Sequence, residues 1–171
     1  MLTVILQPLK ESDREQFIKD NQVAFNYGAL HEFGVRDEHF EEPGEIISRE
    51  TISNSINSGK AYRIVSDGEI IGGVVIRIKG DKGDLDLLFV SPSCHSKGIG
   101  YAAWCEVERM YPEVKVWETV TPYFEKRNIH FYVNRCGFVI DEFYNSHHPD
   151  KQAQRDGDGD DEMFHFVKRM K

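Results

Sequence analysis

The sequence predicts an α/β (α+β) domain with a six- to seven-stranded sheet and about four helices. Three observations carry that expectation. The hydrophobic period switches between alternating and helical along the chain, in the order β-α-α-β-β-β-α-β-α-β-β. Asp67-Gly68 joins two runs rich in Ile and Val, a strong signal for a two-residue hairpin. Finally, the run Asp84-Leu85-Asp86-Leu87-Leu88-Phe89-Val90 is short enough to be a strand, and it meets a polar turn, a glycine pair and then helical spacing.

Taken in order, residues 3–9 alternate as a strand, with Pro8 near its end. Ser12 is placed to cap a helix, and Glu15 completes a capping box. Phe17, Ile18, Asn21, Ala24 and Phe25 give this helix an apolar face as far as about Tyr27. A second helix is expected over residues 45–56, after Pro43-Gly44, with Ile46, Ile47, Ile52 and Ile56 at helical spacing. Strands follow over 61–66 and 69–79, and Gly80-Asp81-Lys82-Gly83 turns the chain into the run at 84–90. A helix over 99–111, a strand over 114–119, a helix from Pro122 through Cys136, and strands over 138–144 and 163–170 complete the chain. No repeat or linker interrupts it, so residues 1–171 read as one domain, long enough to bury a core without staples.

Bulk properties exclude several classes. No stretch approaches the roughly 20 apolar residues of a membrane span, and the start of the chain lacks the basic opening of a signal peptide. Cys94, Cys105 and Cys136 form no CxxC pair, which points to reduced thiols, a cytoplasmic location and no metal site. Net charge is −8, which argues against nucleic acid as a partner and suits a cationic amine. The acidic stretch from Asp156 to Glu162 alternates like the start of an EF-hand, but Asp161 stands where its glycine belongs and Val167 where its last Glu belongs. It reads as a solvated hairpin loop, as do His147 and His148.

The chemistry concentrates after the third central strand. There the order strand, turn, glycine pair, helix aims backbone N–H groups and the positive end of a helix dipole at one spot, where a phosphate sits well. A side chain at Gly98 or Gly100 would hold the anion away from the amides. A dinucleotide fingerprint is a weak match: Gly98, Gly100 and Ala103 fit loosely, with Glu118 about 20 residues on, but Ser-Pro-Ser-Cys-His-Ser-Lys separates the glycines from the strand.

Two blocks resemble the GNAT superfamily of acyl-CoA-dependent N-acetyltransferases. Leu88-Phe89-Val90-Ser91-Pro92 is similar to the end of its cofactor strand, and His95-Ser96-Lys97-Gly98-Ile99-Gly100 to its pyrophosphate loop, with His95 where the family carries Gln or Arg. Asn128-Ile129-His130-Phe131-Tyr132-Val133-Asn134-Arg135-Cys136-Gly137-Phe138 resembles its late helix, although Tyr132 lies five residues before Gly137, where the family tyrosine lies four before. Either the helix carries an extra residue or the hydroxyl points elsewhere.

The resemblance implies a mixed, strongly twisted sheet and direct acetyl transfer from acetyl-CoA to a primary amine, such as a small amine or polyamine. Backbone groups of Leu88, Phe89 and Val90 would pair with the pantetheine arm, and amides of His95, Ser96, Lys97, Gly98, Ile99, Gly100 and Tyr101 would take the pyrophosphate. Asn128 would hydrogen-bond the cofactor, and Tyr132 would protonate the leaving thiolate. Asp84 and Asp86 share a strand face. Asp86 is the first candidate for general base, with a partnership to Arg77 as the bland reading. Glu118 would orient the amine. Asp84, Tyr27, His31, Phe33, Glu38 and His39 would line the acceptor pocket, and a homodimer through the last strands would be ordinary for the family. A different class, a non-catalytic acyl-CoA-binding module, is favoured by His95 and by the displaced Tyr132.

Overall fold

The computed structural model describes residues 2–33, 40–95, 97–151 and 162–171. Glu38, His39, Ser96 and the acidic residues from Asp156 through Asp161 lie outside the described residues, and for His31 and Phe33 only the backbone is described. The elements run β1 (Ile5–Pro8), α1 (Arg14–Phe33), α2 (Arg49–Ser58), β2 (Lys60–Ser66), β3 (Glu69–Lys79), β4 (Lys82–Val90), α3 (Ile99–Met110), β5 (Val116–Pro122), α4 (Lys126–His130), β6 (Val139–Tyr144) and β7 (Met163–Arg169). Seven strands hydrogen-bond in the order β1-β2-β3-β4-β5-β7-β6. The β4–β5 pair is parallel, and the β1–β2, β2–β3, β5–β7 and β6–β7 pairs are antiparallel. This is the mixed sheet that the family resemblance implies, with the four helices that the order of periods predicts.

The chain divides into two compact units, Met1–Ile78 with Leu85–Pro112 and Lys79–Asp84 with Glu113–Lys171. In the first, Asp67 and Gly68 both take positive φ, 51° and 78°, the pairing a type I′ hairpin needs. Phe17, Ile18, Ala24, Ile47 and Ile52 of the α1–α2 region pack with Val75, Leu87 and Phe89. Ile99 and Ala103 of α3 pack with Val4, Ile64 and Ile71. The central strands are thus covered on both faces, which explains why β3 is buried from Ile71 through Ile76 rather than in alternation. Gly72 and Gly73 permit close packing there. A Cβ on Gly72 would stand 2.3 Å from the Phe89 carbonyl oxygen, and one on Gly73 2.4 Å from the Phe17 ring.

Several boundaries differ from expectation, each for a local reason. Ser12 lies inside a 3-10 turn, Glu11–Asp13, and Glu15 spends its carboxylate on Arg49 rather than on a capping box. The first helix runs to Phe33, beyond Tyr27, carrying Gly28 within it. α2 begins at Arg49 with Ser48 as its cap, accepting from the Thr51 N–H at 3.0 Å. Residues before it are held by Asn26 of α1 instead: its Oδ1 accepts from Ile46 N–H at 3.0 Å and its amide donates to Glu45 at 2.7 Å. Pro122 ends β5, paired with Met163, so the late helix starts four residues later.

Arg63 is a residue whose role the sequence pattern conceals. It is almost fully buried, bonds Asp13 at 2.7 Å and Asp20 at 3.0 Å, and lies 5.1 Å over the Phe17 ring. One guanidinium therefore ties β2 to the start of α1.

Candidate active site

In the first unit the end of β4 runs into a 3-10 turn, Pro92–Cys94, and then into the loop that opens α3. Gly98 occupies the cap position of α3 with φ of 75°, and among the described residues, its chain neighbours aside, no atom lies within 4 Å of where its Cβ would stand. A left-handed cap without a side chain leaves the first amides of a twelve-residue helix uncovered, as an anion site requires. Lys97 and Gly98 are exposed, Tyr101 is partly exposed and Ile99 is buried in the core beneath.

His95 does more than fill a loop position. Its Nε2 meets the Val90 carbonyl at 2.8 Å, so the ring donates there, and Tyr27 packs edge-on against it at 5.2 Å. The ring braces the loop against the strand end. Val90 thus has its carbonyl engaged from within the chain, and of the strand-end groups expected to face a pantetheine arm this one is already bonded. Tyr27, expected to line the acceptor pocket, serves as the wall behind His95. Phe89 packs edge-on with Phe17 at 5.0 Å and is buried, while Leu88 and Val90 are half-buried.

Asp86 is held by two partners. Arg77 donates to its Oδ2 at 2.9 Å, and the buried Ser55 hydroxyl of α2 bonds the same oxygen. This is the pairing with Arg77 that the strand alternation allows, and it ties β3, β4 and α2 together.

The second unit carries the late-helix residues. α4 continues into a π-helical turn, Phe131–Arg135, in which Cys136 N–H bonds the Phe131 carbonyl at 2.9 Å. A π turn holds one residue more than an α turn. The five-residue spacing from Tyr132 to Gly137 is therefore an extra residue absorbed in the helix. Gly137, at φ of 85°, ends it, and Phe138 N–H bonds the Tyr132 carbonyl at 2.9 Å.

Two side chains of this helix reach β5. Asn128 donates to Thr121 Oγ1 at 3.2 Å, and Tyr132 hydrogen-bonds Thr119. Four helical residues rise about 6 Å and two strand residues about 6.6 Å, so the antiparallel steps match. The Tyr132 ring lies among Phe131, Phe138 and Phe166, and burial pushes its hydroxyl far above the ordinary tyrosine range. It stays protonated throughout the physiological range.

On the opposite face of β5, Glu118 pairs in register with Asp84 of β4, so two carboxylates stand side by side at the parallel ladder. Glu118 also lies 3.8 Å from His165 of β7. His165 Nδ1 bonds Asp141, the extra residue of a bulge in β6. Tyr144 lies against both His165 and His148, and its hydroxyl is pushed up to about 12 by partial burial and by Asp150, Glu142, Asp141 and Glu118. Glu142 meets His148 at 3.1 Å. Hydrophobic patterning hides His165, which sits in an apolar run between Phe164 and Phe166, and it hides Asp141 because a bulge is invisible to alternation. Among the described residues no His, Cys, Asp and Glu cluster is arranged to hold a metal ion, and no helix is long and apolar enough to cross a membrane.

Comparison with known proteins agrees with this geometry. Residues 27–138 match the acetyltransferase (GNAT) family. The chain is 46% identical to the uncharacterized protein YrkN of Bacillus subtilis (strain 168), over 98% of this chain and 94% of that one. Its fold matches the PaiA N-acetyltransferase of Thermoplasma acidophilum in complex with coenzyme A, with a TM-score of 0.66 at 18% identity, covering 98% and 99% of the two chains. It also matches the ribosomal-protein-S18-alanine N-acetyltransferase of Escherichia coli, with a TM-score of 0.66 at 13% identity, covering 98% and 94%.

Proposed function

This chain belongs to the acetyltransferase (GNAT) family, and we propose that it moves an acetyl group from acetyl-CoA directly to a primary amine, a small amine or polyamine. The observation that carries the reading is the loop at Gly98: a left-handed glycine cap with open space above it, between the end of β4 and the first amides of α3. Those residues fit a pyrophosphate. In this reading acetyl-CoA, when bound, supplies an activated thioester. Leu88, Phe89 and Val90 hold its arm by backbone groups, the amides from His95 through Tyr101 hold its phosphates, and Asn128 adds a side-chain hydrogen bond. Tyr132 is the group this reading sets against the leaving thiolate: burial keeps its hydroxyl protonated, so it can donate a hydrogen bond there, while the raised pKa makes it a weaker acid.

An amine acceptor is supported by the acidic surplus of the chain and by the carboxylates Asp84 and Glu118, paired in register. A primary ammonium would be drawn to them and, once it loses a proton, becomes the nucleophile. Asp86, bonded to Arg77 and Ser55, is better placed to fix the strand face than to take that proton.

A second reading, an acyl-CoA-binding module without catalysis, is favoured by the engagement of Tyr132 with Thr119 and of Asp86 with Arg77. Free-thiol release from acetyl-CoA against a panel of polyamines, amino acids and peptides separates the two, with calorimetric titration of acetyl-CoA beside it. Turnover that falls in Tyr132→Phe supports transfer, and binding without turnover supports the module. Failure to bind acetyl-CoA at all would overturn both.

A further inference from the structure

We infer that His165 is the proton acceptor for the amine, oriented by Asp141 and assisted by Glu118. The inference rests on the acetyl-transfer reading and adds a residue and a role to it.

A base for this step needs a lone pair at neutral pH, a fixed orientation and a means of stabilising the charge it gains. His165 has the fixed orientation and the flanking charge. Its Nδ1 is bonded to Asp141, which fixes the ring and sets the proton on Nδ1. The lone pair then lies on Nε2, which forms no hydrogen bond to protein among the described residues and has Glu118 Oε1 at 3.8 Å. Two carboxylates flank the ring, so the imidazolium formed by proton uptake is stabilised from both sides. The ring is 14% exposed, and Val120, directly opposite it on β5, is partly exposed too, so the nitrogen is sheltered without being sealed.

One N–H bond of the ammonium breaks and its proton passes to Nε2. The freed nitrogen pair forms the C–N bond to the thioester carbon; as the C–S bond breaks, its electron pair goes to sulfur and the second amine proton passes to that thiolate. The products are the amide and the free thiol, and the imidazolium returns its proton to water. The charged and titratable groups facing His165 are Glu118 from β5, Asp141, Glu142 and Tyr144 from β6, and His148 from the segment beyond, with Asp150 acting on Tyr144.

Imidazole ¹⁵N NMR of the whole chain tests this, with the His165 signals among those of the seven histidines assigned through His165→Gln. The expected result is a neutral ring that carries its proton on Nδ1 and its lone pair on Nε2, a preference that weakens in Asp141→Asn. Free-thiol release with 1,4-diaminobutane as the probe amine is expected to fall about a hundredfold in His165→Gln, while calorimetric binding of acetyl-CoA is unchanged. The acid limb of its pH profile should move with the His165 midpoint in Asp141→Asn, which a purely structural histidine would not cause. A ring that stays an imidazolium up to pH 9, or carries its neutral proton on Nε2, overturns the inference even if the probe is not acetylated. Loss of acetyl-CoA binding in the parent protein would instead strike the underlying reading.

Discussion

Tyr132 and Asn21 show how single buried side chains fix what can be measured. Burial raises the folded-state pKa of Tyr132 above that of the unfolded chain, about 10. Below that value both states keep the proton, and stability does not change with pH through this group. As pH rises past about 10 the unfolded chain ionises first, so the folded state loses its advantage. Thermal scans from pH 8 to 11 should therefore show an alkaline fall in Tm that is smaller in Tyr132→Phe; equal falls would place the hydroxyl in water. Asn21 is fully buried on the inner face of α1, and neither its Nδ2 nor its Oδ1 has a hydrogen-bond partner among the described residues. An unpaired buried polar group costs about 1–3 kcal/mol, so Asn21→Leu should raise Tm by several degrees. A fall in Tm would mean that the amide has a partner. The sequence shows Asn21 on the apolar face of its helix, but not that its amide is left unpaired, because that depends on which side chains converge from other elements.

At the scale of elements, local signals were legible where chain neighbours decide the structure. The Asp67-Gly68 hairpin, the alternation of β4 and the strand-to-helix order around Gly98 all formed where expected. What sequence left open was set by contacts across elements: the brace from His95 to Val90, the Arg63 ties to Asp13 and Asp20, and the bulge that aims Asp141 at His165. The π turn in the late helix was half legible, since the shifted tyrosine offered two explanations and only the hydrogen bonds choose one. Gly98→Ala places a side chain at φ of 75° in open space, so its effect is backbone strain and not a clash. Strain of about 1–2 kcal/mol should lower Tm by a few degrees, and relief of that strain by the loop should weaken acetyl-CoA binding roughly tenfold. An unchanged affinity would place the phosphates elsewhere. His95→Ala, which frees the Val90 carbonyl, should weaken binding in the same titration while Tyr27→Phe does not.

For the molecule as a whole, charge is the property that sequence reports most directly. A net charge of −8 attracts cations over a distance that salt shortens to about 10 Å at 0.1 M. The KM for a diamine should therefore rise severalfold between about 0.05 and 0.5 M salt, whereas that for acetyl-CoA, itself an anion, should not rise; a diamine KM indifferent to salt would remove charge as the basis of acceptor choice. The family match and the seven-stranded order agree on the fold. The most direct test of the central claim is calorimetric titration of acetyl-CoA into the parent protein and Gly98→Ala, followed by free-thiol release on adding amines. Saturable one-site binding, weakened in the variant and followed by amine-dependent thiol release, is the predicted result. No heat of binding in the parent protein, or equal binding in both, would contradict it.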